Sequence, residues 1–150
     1  MIGRPRLAGP FFFVSFIIPP LSRGILHDGN GESSSMKHIG NGIGTLQGSR
    51  VMFSDFADGG EMWTGNGNRE SRFHVSFKPP FREPPAVTVG ISMWDMDHKT
   101  NSRADLVAEN VTAKGFNLVF RTWGDTRVAR IRADWLAIGA VRDDDDWDVV

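Results

Sequence analysis

Four side chains in this 150-residue chain could together do recognisable chemistry: Trp123, Arg103, Asp125 and Asn66. They offer a flat apolar plate, a planar guanidinium with paired donors, a carboxylate that accepts and a carboxamide that does both. Such a set suits a ligand with vicinal hydroxyls on one side and an apolar C–H face on the other, which describes a sugar ring. Gly65, beside Asn66 in a glycine-rich stretch, completes the candidate carbohydrate-contact set. Two plainer roles compete. Trp123 could simply cover the end of the fold, and Arg103 could pair with Asp105 or Glu109 on its own strand face.

The elements that position these residues are strands. In Phe116–Phe120 the residues Phe116, Leu118 and Phe120 share one side, while Asn117, Val119, Arg121 and Trp123 share the other, because strand side chains alternate. Trp123 is therefore aimed away from the core row. In the next run Ala129, Ile131, Ala133, Trp135 and Ala137 form the apolar row, with Val128, Arg130, Arg132 and Asp134 opposite. Between the runs, Trp123-Gly124-Asp125-Thr126 reads as a hairpin turn, with Gly124 free to take a positive φ.

Upstream the same alternation recurs. Residues 43–56 form a first strand with Val51 and Phe53 on one side, and Phe73, Val75 and Phe77 form a second that ends at Lys78-Pro79-Pro80. Val87, Val89, Ile91 and Met93 face inward on a third, with Trp94 outward, and Ala104, Leu106 and Ala108 form a small apolar row on a fourth. Residues 57–70 carry four glycines and two asparagines and read as a long irregular loop. Such a loop on a rigid scaffold is either a connector or a place for binding residues. About six short strands without a helix specify an all-β, six-stranded antiparallel β-sandwich, since each sheet must bury its apolar face against another. Val107, Val119, Trp94 and Val128 point outward, which suggests a homo-oligomer.

Composition excludes several functions. A hydrophobic content of 40% with 23% charged residues is that of one globular domain. A net charge of −1 gives no field to gather nucleic acid or an anionic membrane. The absence of cysteine removes disulfides and thiolate metal sites. Residues 1–35 read as a disordered extension ahead of a domain that starts at Met36; an atypical signal segment is the alternative, since Arg4 and Arg6 precede the apolar block Phe11 to Ile18. That block is shorter than the ~20 residues a membrane span needs. The domain runs from 36 to 140, and residues 141–150 with the run Asp143 to Asp148 form an acidic, solvated tail.

Nothing in the spacing pairs an acid with a base, presents a nucleophile or cradles a phosphate, so the chain reads as non-catalytic with no cofactor. Asp95, Asp97 and His98 are too few oxygen and nitrogen donors for a cation site, and no metal is expected. Arg121, Arg130 and Arg132 with Asp134 and Glu109 read as cross-strand or intersubunit charge pairs.

The ordered segments PFREPPAVTVGIS, NSRADLVAENV, TAKGF, RTWGDTRV and ADWLAIG, from Pro80 to Gly139, resemble the H-type lectins. That resemblance implies a β-sandwich, binding of galactose-type or N-acetylgalactosamine-type glycans without metal, a role in cell adhesion, and assembly as a homotrimer or a hexamer of paired trimers. It also implies that Arg103 and Trp123 hold the sugar, with Asn66 where the family has an aspartate, Gly124 where it has a hairpin histidine and Ala129 where it has an aromatic. Asp125 would supply hydrogen bonding in their place. The alternative is a structural module that trimerises through the same sandwich without binding sugar.

Overall fold

The computed structural model describes residues 35–142, so residues 1–34 and the acidic run Asp143 to Asp148 lie outside the described residues. Seven strands and one helical turn follow in the order β1 (Lys37–Gly40), β2 (Ile43–Ser54), α1 (Glu61–Thr64), β3 (Arg69–Ser76), β4 (Ala86–Met96), β5 (Asp105–Thr112), β6 (Gly115–Thr122) and β7 (Val128–Ala140). They form two antiparallel sheets, ordered β1-β2-β7-β4 and β3-β6-β5. The expected sandwich is present with one strand more than the alternation revealed. β1 is four residues long and exposed throughout, so it has no apolar row to read.

The segment β6–β7 crosses between the sheets and does not close the hairpin expected at Trp123-Gly124-Asp125-Thr126, because β6 pairs with β3 and β5 in one sheet while β7 pairs with β2 and β4 in the other. Its apolar rows are as expected: Phe116, Leu118 and Phe120, then Ala129, Ile131, Ala133, Trp135 and Ala137, are all buried. Phe77 is the aromatic hub of the main core. It meets Phe81 edge-on at 5.0 Å and lies 5.7 Å from Phe116 and 6.1 Å from Trp135. A second cluster of Met62, Phe120, Val128 and Ile131 fills the end of the sandwich nearest the β6–β7 turn.

Several side chains depart from simple alternation. Val119, expected to face solvent, is fully buried. Register places it between Arg72 and Val107, under a closed ring of ion pairs. Glu109 meets Arg121 at 2.6 Å and Arg72 at 3.0 Å, while Glu70 meets Arg121 at 2.8 Å and Arg72 at 3.0 Å. Long arginine stems cover apolar surface in this way while their heads stay wet. Val128 is also buried, packed with Met62, because the β4–β7 register shifts between Asp95 and Met96. A shift between Val51 and Phe53 turns Val51 outward and sends Phe53 to within 5.4 Å of Phe120. Ala104 precedes β5 and is exposed.

On the outer face of the larger sheet, Asp134 accepts from Ser49 at 2.6 Å and Ser92 at 2.7 Å, which takes the place of the arginine partner expected for it. Val51, Leu136 and Ile138 are exposed on that face, and Trp94, opposite Ile131 in the register of the edge strand β4, is 68% exposed. Among the described residues no helix is long and apolar enough to cross a membrane.

Candidate functional site

Two buried threonines fasten the base of the β6–β7 turn. Thr122 Oγ1 donates to the Arg103 carbonyl at 2.7 Å, and Thr126 Oγ1 donates to the Asn101 carbonyl at 2.6 Å. These bonds lay residues 101–103 along the turn. The Arg103 guanidinium then donates through Nη1 to Asp125 Oδ1 at 2.5 Å. This replaces the expected pairing of Arg103 with Asp105 or Glu109. Arg103 lies before β5 and follows the turn, and Glu109 is already held by Arg72 and Arg121. The Arg103 hydrogen bond holds the Asp125 carboxyl below the usual carboxylate range.

A second clamp joins the glycine-rich stretch to the same turn. Arg69 is 4% exposed and sits on the inward row of β3, where an apolar residue would be expected. Its Nε donates to the Gly67 carbonyl at 3.0 Å, its Nη1 to the Met62 carbonyl at 3.2 Å and its Nη2 to the Gly124 carbonyl at 3.2 Å. The Gly67 N–H also donates to the Gly124 carbonyl, at 2.9 Å. Gly124 has φ +66°, the left-handed conformation foreseen for it, and this aims its carbonyl at the clamp.

The stretch read as an irregular loop therefore holds one helical turn. Met62 plugs the core from it, and Asp55 Oδ2 accepts the Met62 N–H at 2.9 Å, serving an otherwise orphaned helix-end donor. Gly65 N–H closes the turn on the Glu61 carbonyl, and an added Cβ at Gly65 would stand 2.5 Å from that oxygen. Close backbone approach explains this glycine. Asp55, Arg69, Thr122 and Thr126 were not singled out in the sequence, although a cation on the inward row of β3 was a visible signal for Arg69.

The clamped turn divides two hollows. One, of about 360 Å³, brings together Gly65, Asn66 and Asp125, with Asp97, Lys99 and Arg127 on its other walls. The other, of about 550 Å³, is lined by Trp123, Thr122, Asn68 and Asp105, with Glu70 and Arg121 beside them. Of the expected contact set, Asn66, Gly65 and Asp125 thus share one hollow, and Trp123, 43% exposed, opens onto the other. Arg103 lines neither and braces Asp125. Ala129 is buried and out of reach of both. The first hollow presents a carboxamide and a carboxylate to hydroxyl groups, and the second sets an indole plate beside the Asp105 carboxylate. Among the described residues no three side chains of histidine, aspartate or glutamate gather as a metal site.

Residues 72–138 match the H-type lectin domain. The chain is 68% identical over 114 residues to a protein of Fuscovulum blasticum named ATP synthase subunits region ORF 7, covering 76% of this chain and 99% of that one. It is 36% identical over 77 residues to discoidin-2 of Dictyostelium discoideum, covering 50% of this chain and 30% of the discoidin. The solved structure of recombinant discoidin II from the same organism superposes with a TM-score of 0.58 at 26% identity, over 68% of this chain and 39% of that one. The chain thus spans only about a third of the discoidins it resembles. The matched residues include the β6–β7 turn and the β4–β5 loop, while the walls from Thr64 to Glu70 precede the match, and with the shared two-sheet fold they show that this chain carries an H-type lectin domain over residues 72–138.

Proposed function

We propose that this protein is a non-catalytic lectin that binds a galactose-type or N-acetylgalactosamine-type sugar at the β6–β7 turn. The observation that carries the reading is the shared hollow of Asn66 and Asp125. Two segments distant in sequence are clamped by Arg69 so that a carboxamide and a carboxylate converge on one space. Asn66 and Asp125 bond vicinal hydroxyls, Gly65 allows close approach of the backbone, and Arg103 keeps Asp125 ionised and aimed. The Trp123 indole, in the neighbouring hollow, takes the apolar face of the adjoining part of a longer glycan. The H-type lectin domain over residues 72–138 supports the carbohydrate-binding part of this reading.

One shallow site binds weakly, and presentation on a homotrimer or hexamer would raise effective affinity about 100-fold or more. The exposed face that carries Val51, Leu136 and Ile138 supports such assembly. That same face favours a second reading, a module that assembles through the sandwich without binding sugar. A glycan array separates the two. Retention of galactose-type glycans that disappears in Asn66→Ala, with the oligomer intact, supports the lectin; a folded oligomer that retains no glycan supports the assembly module.

A further inference from the structure

We infer that the hollow holding Asn66 and Asp125 selects sugars that carry an anion, a ring carboxylate or a sulfate ester, with Lys99 and Arg127 as its anion-binding pair. The inference rests on the sugar-binding reading above and adds the charge of the ligand to it.

The hollow is lined by two carboxylates and two cations, and their commitments differ. Asp125 is engaged by Arg103. Asp97 Oδ1 accepts the backbone N–H of Lys99 at 2.9 Å and lies 3.8 Å from His98 Nδ1. Among the described residues, neither the Lys99 ammonium nor the Arg127 guanidinium makes an ion pair or a hydrogen bond. The backbone fixes their neighbourhood, since the Asp97 N–H donates to the Arg127 carbonyl at 3.0 Å and so ties the β4–β5 loop to the turn. Counting Arg103, three cations stand against Asp97 and Asp125, a local excess of one positive charge in a chain whose net charge is −1. A neutral sugar leaves both uncommitted cations to water. An anionic substituent converts them into charge-assisted donors, the arginine as a planar fork and the lysine as a point charge.

Titration calorimetry on the full chain with methyl galactoside, methyl galacturonide and galactose 6-sulfate tests this. At low salt the anionic sugars should bind about tenfold more tightly than the neutral one, and the advantage should shrink as salt rises. In Lys99→Gln/Arg127→Gln the ratio of anionic to neutral affinity should fall toward one. A gain for the carboxylate alone or for the sulfate alone supports the inference and identifies the source of the anion. Neutral sugar bound as tightly as both anionic ones overturns it while leaving the lectin reading intact, and so does a gain that survives the double variant. Binding of none of the three overturns the inference, and if methyl N-acetylgalactosaminide is not bound either, the lectin reading falls with it.

Discussion

The Arg69 guanidinium donates to the Gly124 carbonyl at 3.2 Å, and through this bond the first strand of the smaller sheet holds the tip of the β6–β7 turn. The same side chain serves the Met62 and Gly67 carbonyls, so one buried cation fixes both walls of the hollow that contains Asn66 and Asp125. A charge that is nearly fully buried is tolerated when its polar atoms are engaged, and here each of the three nitrogens donates to a carbonyl.

Replacing Arg69 by Met should therefore leave those carbonyls without the donor they share. The expected loss is about 3 kcal/mol of stability, read as a lower urea midpoint, accompanied by loss of sugar binding. Arg69→Lys, which keeps the charge but cannot reach three acceptors as a planar fork, should fall between the two.

Gly124 combines φ +66° with a site where an added Cβ would lie 3.1 Å from Arg103 Nη1. Gly124→Ala should cost about 1–2 kcal/mol and displace the Arg103–Asp125 pair. Chemical denaturation measures the first effect, and NMR of the Arg103 side chain reads the second.

Asp55 acts on α1 from outside the helix by accepting the Met62 N–H. Asp55→Ala should cost about 1 kcal/mol, the usual scale for a lost helix cap. Because α1 carries the chain into Gly65 and Asn66, faster amide exchange over residues 61–67 should accompany that loss.

The ring over Val119 makes stability depend on pH. The Arg121 and Arg72 hydrogen bonds lower the Glu109 pKa from its ordinary value of 4.5. A carboxyl whose folded pKa is depressed binds fewer protons folded than unfolded. Its contribution is full above 4.5 and is lost as pH falls through the lower folded value. Urea midpoints should therefore drop as pH falls below about 4.5, and Glu109→Gln should flatten that part of the curve.

Strands whose alternation depends only on their own residues were legible in the sequence. The row from Ala129 to Ala137 and the row Phe116, Leu118 and Phe120 are buried as their spacing dictates. What escaped depends on neighbours distant in sequence. Val119 is covered by side chains of two other strands, Val51 and Phe53 are parted by a shift against β7, and α1 forms because Met62 finds a gap in the core. For the site, sequence supplied Arg103, Trp123, Asp125, Asn66 and Gly65 as one set, of which Asn66, Gly65 and Asp125 share a hollow. It could not show that the turn places Trp123 in a separate hollow, nor that Arg69 ties the walls together.

Titration of methyl N-acetylgalactosaminide into the parent chain, Asn66→Ala and Trp123→Ala asks whether a sugar is held between Asn66 and Asp125. Binding by the parent, loss in Asn66→Ala and only weakening in Trp123→Ala are expected, with both variants unfolding at the parent's urea midpoint. A folded parent that binds neither this sugar nor the corresponding galactoside would mean that no sugar is held there, as would parental affinity in Asn66→Ala.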